Sequence, residues 1–299
     1  MGSGSVNDGQ TDVLAGMLHR MTALAALTRT RTDAPPPRAI GALRLLVSYQ
    51  RASSQIRTLR QSGSLKALFP RPSGPALDVV LLNTAGGLTG GDRMDIDIAT
   101  EAGAQVILSS QAAERAYRAL GQSRAEVTLR LQAGAGARID WLPQETILYD
   151  GSALVRTLQA DLAPTARMLL VEPVIFGRTA MGEVVETGLL RDRWLVRRAG
   201  ELIFADALLL DGKIAAHLAA SGVAGGAGAM ASVLYAGPDA AAFLTGLRRL
   251  LPPTAGCSLI RNGVLFARLL AMDGFDLRRV LIPVIEYLSA ASLPKVWRL

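Results

Sequence analysis

Three segments of this chain repeat one plan, in which a strand-like stretch turns sharply into a second one. Glu101-Ala102-Gly103-Ala104 precedes Val106-Ile107-Leu108, and Gln132-Ala133-Gly134-Ala135 precedes Ile139-Asp140-Trp141. Asp161-Leu162-Ala163-Pro164-Thr165-Ala166 precedes Met168-Leu169-Leu170. The turn residues Gly103, Gly134 and Pro164 lie 31 and 30 positions apart. A unit recurring at that period is what a stacked or coiled β architecture requires. A plain β-sandwich also spaces its turns evenly, so both remain open at this level. The flanking segments alternate with period 2, the mark of half-buried strands. Met94, Ile96 and Ile98 share one face, as do Val127, Leu129 and Leu131. Leu154, Leu158, Ala160 and Leu162 share another, with Arg156 as the exception on that face.

Later segments change character. Trp194-Leu195-Val196 and Leu202-Ile203-Phe204 flank Arg198-Ala199-Gly200-Glu201, which predicts a hairpin. Asn262-Gly263 predicts another. Phe243, Leu244, Leu247, Leu250 and Leu251 follow Asp239 at helical spacing, predicting a capped helix over 239–251. Asp276 is expected to cap a second helix over 276–288, with Pro283 marking a kink or a break. The uncharged stretch from Ile214 to Pro238 is long enough to span a membrane, but six of its residues are Gly or Pro. It reads as buried small-residue backbone.

Charge marks off the N-terminus. Residues 1–71 hold 10 basic and 3 acidic side chains, while 72–299 hold 22 of each. Leu14, Leu18, Met21 and Leu24 have helical spacing, and Pro35-Pro36-Pro37 follows as a linker. An amphipathic, Arg-bearing start also fits a transit peptide. We take residues 1–38 as a flexible basic extension and 39–299 as a single β domain. With 29 of the 32 cations being Arg, no P-loop lysine stands in its motif. One cysteine, Cys257, excludes a disulfide framework, and two histidines exclude an imidazole-rich metal site. The balanced body with 14 aromatic residues argues against nucleic acid as a partner. The lone cysteine and the absence of an export signal place the expected setting in the cytoplasm, with no membrane partner.

Four segments stand out chemically. Asn83-Thr84-Ala85-Gly86-Gly87-Leu88-Thr89-Gly90-Gly91-Asp92 joins two strand patterns, so it is no dinucleotide loop. It reads as a glycine turn, or as a backbone-lined passage ending in the Asp92 carboxylate. In Trp141–Gly151, Pro143 breaks a strand and sets Gln144 and Glu145 at a bulge or turn, while Asp150-Gly151 reads as a hairpin turn. In Phe176–Glu183, Glu183 either pairs with Arg178 or lines a cavity. Ser109–Arg118, with its arginines and Tyr117, reads as solvated surface. No Ser–His–Asp set is available, because His217 falls in the Ala/Gly stretch.

These segments resemble, in order, those of the UreD (UreH) urease accessory family. Asn83–Asp92 resembles its NPPGGLVGGDR segment and Leu142–Gly151 its LPQETILFDGA segment. Phe176–Glu183 resembles its FGR-TAMGE segment, and Ala205–Gly212 its FAD…LDG strand. Leu293-Pro294-Lys295-Val296-Trp297-Arg298-Leu299 resembles its LPRVWRL ending. The resemblance spans about residues 40–299. There are departures: Thr84-Ala85 replace two prolines, Thr89 replaces a valine, and Glu114-Arg115 stand where Thr-Lys is common. A looser turn and an altered surface are expected there.

The resemblance implies a fold and a role. The fold is mainly β: elongated, two-layered and β-helix-like, with two α-helices in the C-terminal half. The role is that of a non-enzymatic component of a nickel metallochaperone complex with no tightly bound cofactor. It would bind apo-urease and UreF, and through UreF the nickel-carrying GTPase UreG. Transient Ni2+ would pass through an internal tunnel, with Asp92, Glu183 and Glu145 as its expected contacts. Sparse oxygen donors hold Ni2+ more weakly than a His/Cys cage does, which suits a conduit. The other reading is a cytoplasmic β-helix carbohydrate-active enzyme using Asp92 with Glu145 or Glu183 as acid and base. Few aromatic residues are available to stack on sugars, which weakens that reading.

Overall fold

Alternation becomes two facing sheets. The computed structural model describes Met1 and residues 37–72, 74–178, 181–289 and 293–298. The helical spacing between Leu14 and Leu24, and the extension as far as residue 36, lie outside the described residues. Arg38–Leu299 packs as one unit.

Sheet A has seven strands. Its core is five parallel neighbours: β1 (Ile40–Gln50), β5 (Arg93–Thr100), β8 (Ala125–Ala133), β11 (Ala153–Leu162) and β13 (Gly188–Arg198). Two antiparallel strands close its ends, β2 (Ser53–Gly63) beside β1 and β14 (Glu201–Gly212) beside β13. Sheet B is built on four parallel strands, β4 (Leu77–Asn83), β6 (Gln105–Ser110), β9 (Arg138–Leu142) and β12 (Arg167–Phe176). It is extended by β3 (Leu65–Leu68) on one side. On the other side come β15 (Ala229–Ala236), β17 (Val264–Ala271) and β16 (Ala255–Arg261). Two short strands, β7 (Glu114–Ala116) and β10 (Thr146–Leu148), lie alongside the end of β12.

From β4 to β13 the chain passes back and forth between the sheets, one coil per repeat. Val106 pairs with Ile139, and Ile139 with Met168, so successive coils stack at the period of about thirty residues read from the turns. The turns stack too. Gly103 N–H donates to the Ala135 carbonyl, Gly134 N–H to that of Thr100, and Ala163 N–H to that of Ala133. Gly134 is glycine for a steric reason, since a Cβ there would lie 2.9 Å from the Thr100 oxygen and the Glu101 carbonyl carbon. The coiled alternative is therefore the correct one.

Between the sheets lies one apolar core, including Leu43, Met94, Leu129 and Leu158 from sheet A with Val79, Val106, Ile139 and Met168 from sheet B. Sheet A turns its other face to solvent and keeps strict alternation. The central strands of sheet B are covered on both faces: β12 is buried at eight of its ten positions and β15 at every one. This is why β12 and β15 read as near-continuous apolar runs rather than alternating ones. Its outer cover is α2 (Ala240–Leu250) and α3 (Gly274–Leu288), with Trp297 in the same cluster.

Several local expectations are corrected. A short helix, α1 (Ile214–Ala219), occupies the start of the uncharged stretch. That stretch is buried only in part, because most of residues 219–226 are exposed turn. Asp150-Gly151 turns the chain from β10 in sheet B to β11 in sheet A, so it is a coil corner and not a hairpin. Helix α3 starts earlier than expected. Asp273 is its cap, accepting the Asp276 N–H at 2.8 Å, and Asp276 sits in the first turn where the helix dipole favours an anion. The helix runs through Pro283 to Leu288. Asp239 precedes α2 but makes no capping bond. Its carboxylate instead accepts from the Tyr235 hydroxyl at 2.7 Å and from Arg167 Nε at 3.1 Å. No helix among the described residues is long and apolar enough to cross a membrane.

The stacked turns carry a prediction. Gly134→Ala should destabilise the chain by about 1–3 kcal/mol through overpacking between coils. Gly256→Ala, with no atom within 4 Å of its Cβ position, should stay within about 0.5 kcal/mol. Urea unfolding of the two variants checks this, and equal losses would contradict the steric reading.

Candidate functional site

A cavity of about 100 Å3, mostly apolar in its lining but with a polar cluster on one wall, opens in the layer between the sheets. Water needs roughly 10–15 Å3 per molecule in such a space, so several fit. Its apolar wall includes Met94, Ile96, Leu81 and Leu88, the last from the glycine-rich segment. Its polar wall includes Asn83, Ser110, Glu114, Gln144, Arg156 and Glu172.

Arg156 is the inward exception of β11. Its guanidinium pairs with two carboxylates, Glu172 on β12 and Asp192 on β13. Asp192 stands beside it in strand register. Trp141 Nε1 donates to Glu172 at 2.7 Å and Trp194 Nε1 to Asp192 at 3.2 Å. All three charged groups are buried. Burial alone would lower the Arg156 pKa, but Asp192 and Glu172 outweigh it and raise it. Burial, seconded by the Asp192 charge, lifts Glu172 from its ordinary 4.5 to about 7, against the pull of Arg156. Two acids share one cation here, and burial makes Glu172 hold its proton to higher pH than an exposed glutamate does.

Glu114 enters from β7. Asn83 Nδ2 donates to its carboxylate at 3.2 and 3.3 Å and to the Gly87 carbonyl at 3.0 Å. Burial raises the Glu114 pKa in spite of those bonds. Gln144 closes the other side. Its Oε1 accepts from Arg278 at 2.8 Å, which fixes the amide orientation, because a flipped amide would set N–H against guanidinium. Among the described residues, the buried Nε2 has no hydrogen-bond partner at this cavity wall. A buried donor of this kind costs ~1–3 kcal/mol unless something in the cavity accepts from it.

The three carboxylates expected from the sequence have separate local bonds. Asp92 is buried and closes its turn, accepting the Ala39 and Thr89 N–H groups, each at 2.8 Å. Glu145 is buried against Arg278, 3.0 Å away. Arg278 also donates to the Trp297 carbonyl and stacks on its indole, while Trp297 Nε1 donates to the Leu142 carbonyl. Glu183 takes the local option read from the sequence, forming a two-pronged pair with Arg178 at 2.7 and 3.2 Å. That bonding holds its pKa low. No two of the three share a partner in these bonds. The described residues contain no group of three or more His, Cys, Asp or Glu side chains placed to hold one metal ion.

The glycine-rich segment works mainly as packing. A Cβ on Gly87 would come within 2.3 Å of the Tyr117 ring, and Leu88 exchanges backbone hydrogen bonds with Arg115 and Tyr117. Ser109–Arg118 is thus not wholly solvated surface, since it brings Ser110 and Glu114 to the cavity. Sequence reasoning missed Glu114 and Glu172 as site residues. The departure at 114 and the lone acid in the apolar run of β12 were the available signals.

A family model described as UreD urease accessory protein matches residues 39–298. The urease accessory protein UreD of Rhizobium etli is 47% identical over 280 residues, covering 93% of this chain and 100% of that protein. That of Roseobacter denitrificans is 47% identical over 273 residues, covering 91% and 100%. That of Ruegeria pomeroyi is 48% identical over 244 residues, covering 82% and 95%.

The buried triad carries a pH prediction. Glu172 has a folded pKa above its unfolded value, so its stabilising contribution is full below about 4.5 and is lost as pH rises through about 7. In Glu172→Gln that dependence disappears. The stability difference between parent and variant should shrink by on the order of 3 kcal/mol across that window. Denaturant unfolding at a series of pH values reads it, and parallel pH profiles would contradict the assignment.

Proposed function

The chain belongs to the UreD urease accessory protein family, and on that premise we propose that it binds apo-urease and UreF and helps bring Ni2+ to the urease active site. UreG joins through UreF in this reading. The setting is cytoplasmic, and the chain catalyses no reaction of its own. Nickel is cargo here, not a resident cofactor.

The observation that supports the reading is a mostly apolar cavity between the sheets whose wall carries a cluster of buried polar and charged side chains. An all-apolar interior would be more economical for folding, since a buried ion pair is often no better than well-packed hydrophobic side chains. A passage for a hydrated cation needs oxygen acceptors, room for water and a negative wall. Glu114, Glu172, Asn83 and Ser110 supply oxygens, and the free Gln144 N–H calls for a water. Oxygen donors of this type release Ni2+ more readily than imidazole or thiolate does. Asp92, Glu145 and Glu183 enter the proposal as outlying contacts that exchange their present bonds as the ion passes.

Neutral variants separate the two groups at limiting nickel. Glu114→Gln should cut nickel per urease several-fold while pull-down of urease and UreF is unchanged. Asp92→Asn, Glu145→Gln and Glu183→Gln should lower delivery if they contact the ion. They should instead weaken folding or complex formation, by ~1–3 kcal/mol, if their observed bonds are their whole role. Nickel content after co-purification is the readout. Normal loading in Glu114→Gln and Glu172→Gln together would remove the cavity from the path.

A further inference from the structure

We propose that the free edge of β14 is a docking site for an extended, acidic segment of a partner protein, which would join sheet A as an added strand. β14 is twelve residues long and, among the described residues, is hydrogen-bonded along one side only, to β13. Among the described residues, no backbone group from 203 to 212 has a hydrogen bond outside that ladder. Arg261 occupies the edge only at its start, donating to the Leu202 carbonyl at 3.4 Å and pairing with Glu201 at 2.9 Å.

Long bare edges are normally blunted by charge. The opposite end of the same sheet is blunted in that way, with exposed Gln55, Arg57, Arg60 and Gln61 on β2. β14 carries exposed acids only near its ends, Glu201 and Asp211, and between them shows Leu202, Ala205, Ala207 and Leu209 to solvent, with Leu202 and Leu209 about half exposed, at 46% and 50%.

The charge stands one strand further in. Arg191 and Arg193 of β13 are exposed, in register with Leu209 and Ala207 on one side and with Val155 and Thr157 on the other. Asp211 faces Leu189 and not an arginine. Elsewhere on this face Arg44, Arg93 and Arg130 each have a carboxylate within 4 Å. Neither Arg191 nor Arg193 has such a partner among the described residues. A strand added at the edge would lie roughly 10 Å from β13, two strand spacings away. An arginine and a glutamate can meet over that distance when the residue between them is as small as Ala207.

Charge also selects among occupants. A second copy pairing β14 with β14 offers this row one carboxylate, Asp211, against the two arginines, Arg191 and Arg193, that each copy brings, and so neutralises at most half of them. An acidic strand neutralises them while its backbone completes the sheet, the usual division of labour in strand addition.

The test uses the full chain with two labelled ten-residue peptides, one alternating valine and glutamate, the other valine and lysine. The glutamate peptide should bind with salt-sensitive affinity and slow amide exchange across 203–211 at least tenfold. The lysine peptide should do neither. Arg191→Glu with Arg193→Glu should weaken binding at least tenfold. Ala207→Glu, which supplies Arg193 with a carboxylate from β14 itself, should do the same without touching β13. Equal binding of both peptides, binding without protection of β14, or unchanged affinity in both variants would overturn the proposal. So would protection of β14 by dimer formation without peptide. None of these outcomes depends on nickel or urease.

Discussion

The guanidinium of Arg156 sits where the two sheets meet, and much of the interior follows from it. It is held by Asp192 on the neighbouring strand of its own sheet and by Glu172 on the facing sheet. Two tryptophans, one from each sheet, donate to those carboxylates. A buried cation obliges the core to supply acceptors, and each acceptor must itself be satisfied. The polar wall of the cavity grows outward from that requirement. Breaking such a group by removing one member is expensive, whereas exchanging the whole set for apolar side chains often is not. Stability alone therefore does not account for a polar interior, and the cavity it borders is the better reason for it.

A second lock holds the outer layer. Arg278 on α3 reaches Gln144, Glu145 and the Trp297 carbonyl at once, and the Trp297 indole returns a bond to Leu142. The strand-breaking Pro143 lets the chain leave β9 so that Gln144 and Glu145 can turn to this helix. At the far end of α3, Arg138 donates to the Leu288 carbonyl at 2.7 Å and to Asp140 at 2.8 Å. A cation at a helix C-terminus satisfies an orphan carbonyl and the dipole together. Sheet B thus grips its covering helix by polar anchors at both ends, with Leu277, Leu281, Val284 and Ile285 packed between.

Strands, turns and coil period were legible because each is a local pattern. Side chains alternate at period 2, and a coil must return its turn residue to the same place every thirty or so positions. The anomaly at Arg156 was visible for the same reason, as a charge on an otherwise apolar face. Its partners were not, since a strand pattern does not say which facing strand supplies the acid. Glu183 was legible down to its partner because Arg178 lies five residues away. Glu145 was not, because Arg278 is 133 residues distant. Asp92 read as a possible ion contact because glycines precede it. Its carboxylate also satisfies two backbone donors, one of them at Ala39, 53 residues away. Glu114 read as surface beside Arg115 and Tyr117, and only the parallel pairing of β7 with β10 brings it to the cavity.

The same burial that builds the cavity sets its charge. With Glu172 protonated, Arg156, Asp192 and Glu172 sum to zero; with it ionised they sum to minus one. An exposed glutamate would make that change at ordinary carboxylate pH, far from neutrality. Burial moves it to about pH 7, so the wall's charge responds to conditions near neutral. On the proposed nickel path, a cation in the cavity would favour the ionised form of Glu172 by its own field, against a proton that burial holds more tightly than an exposed glutamate does. On that proposal proton and metal would be linked through one carboxylate, binding of either weakening the other by the same factor. Such exchange permits capture and release without a rigid cage, which is the physical demand on any path whose ion must leave again.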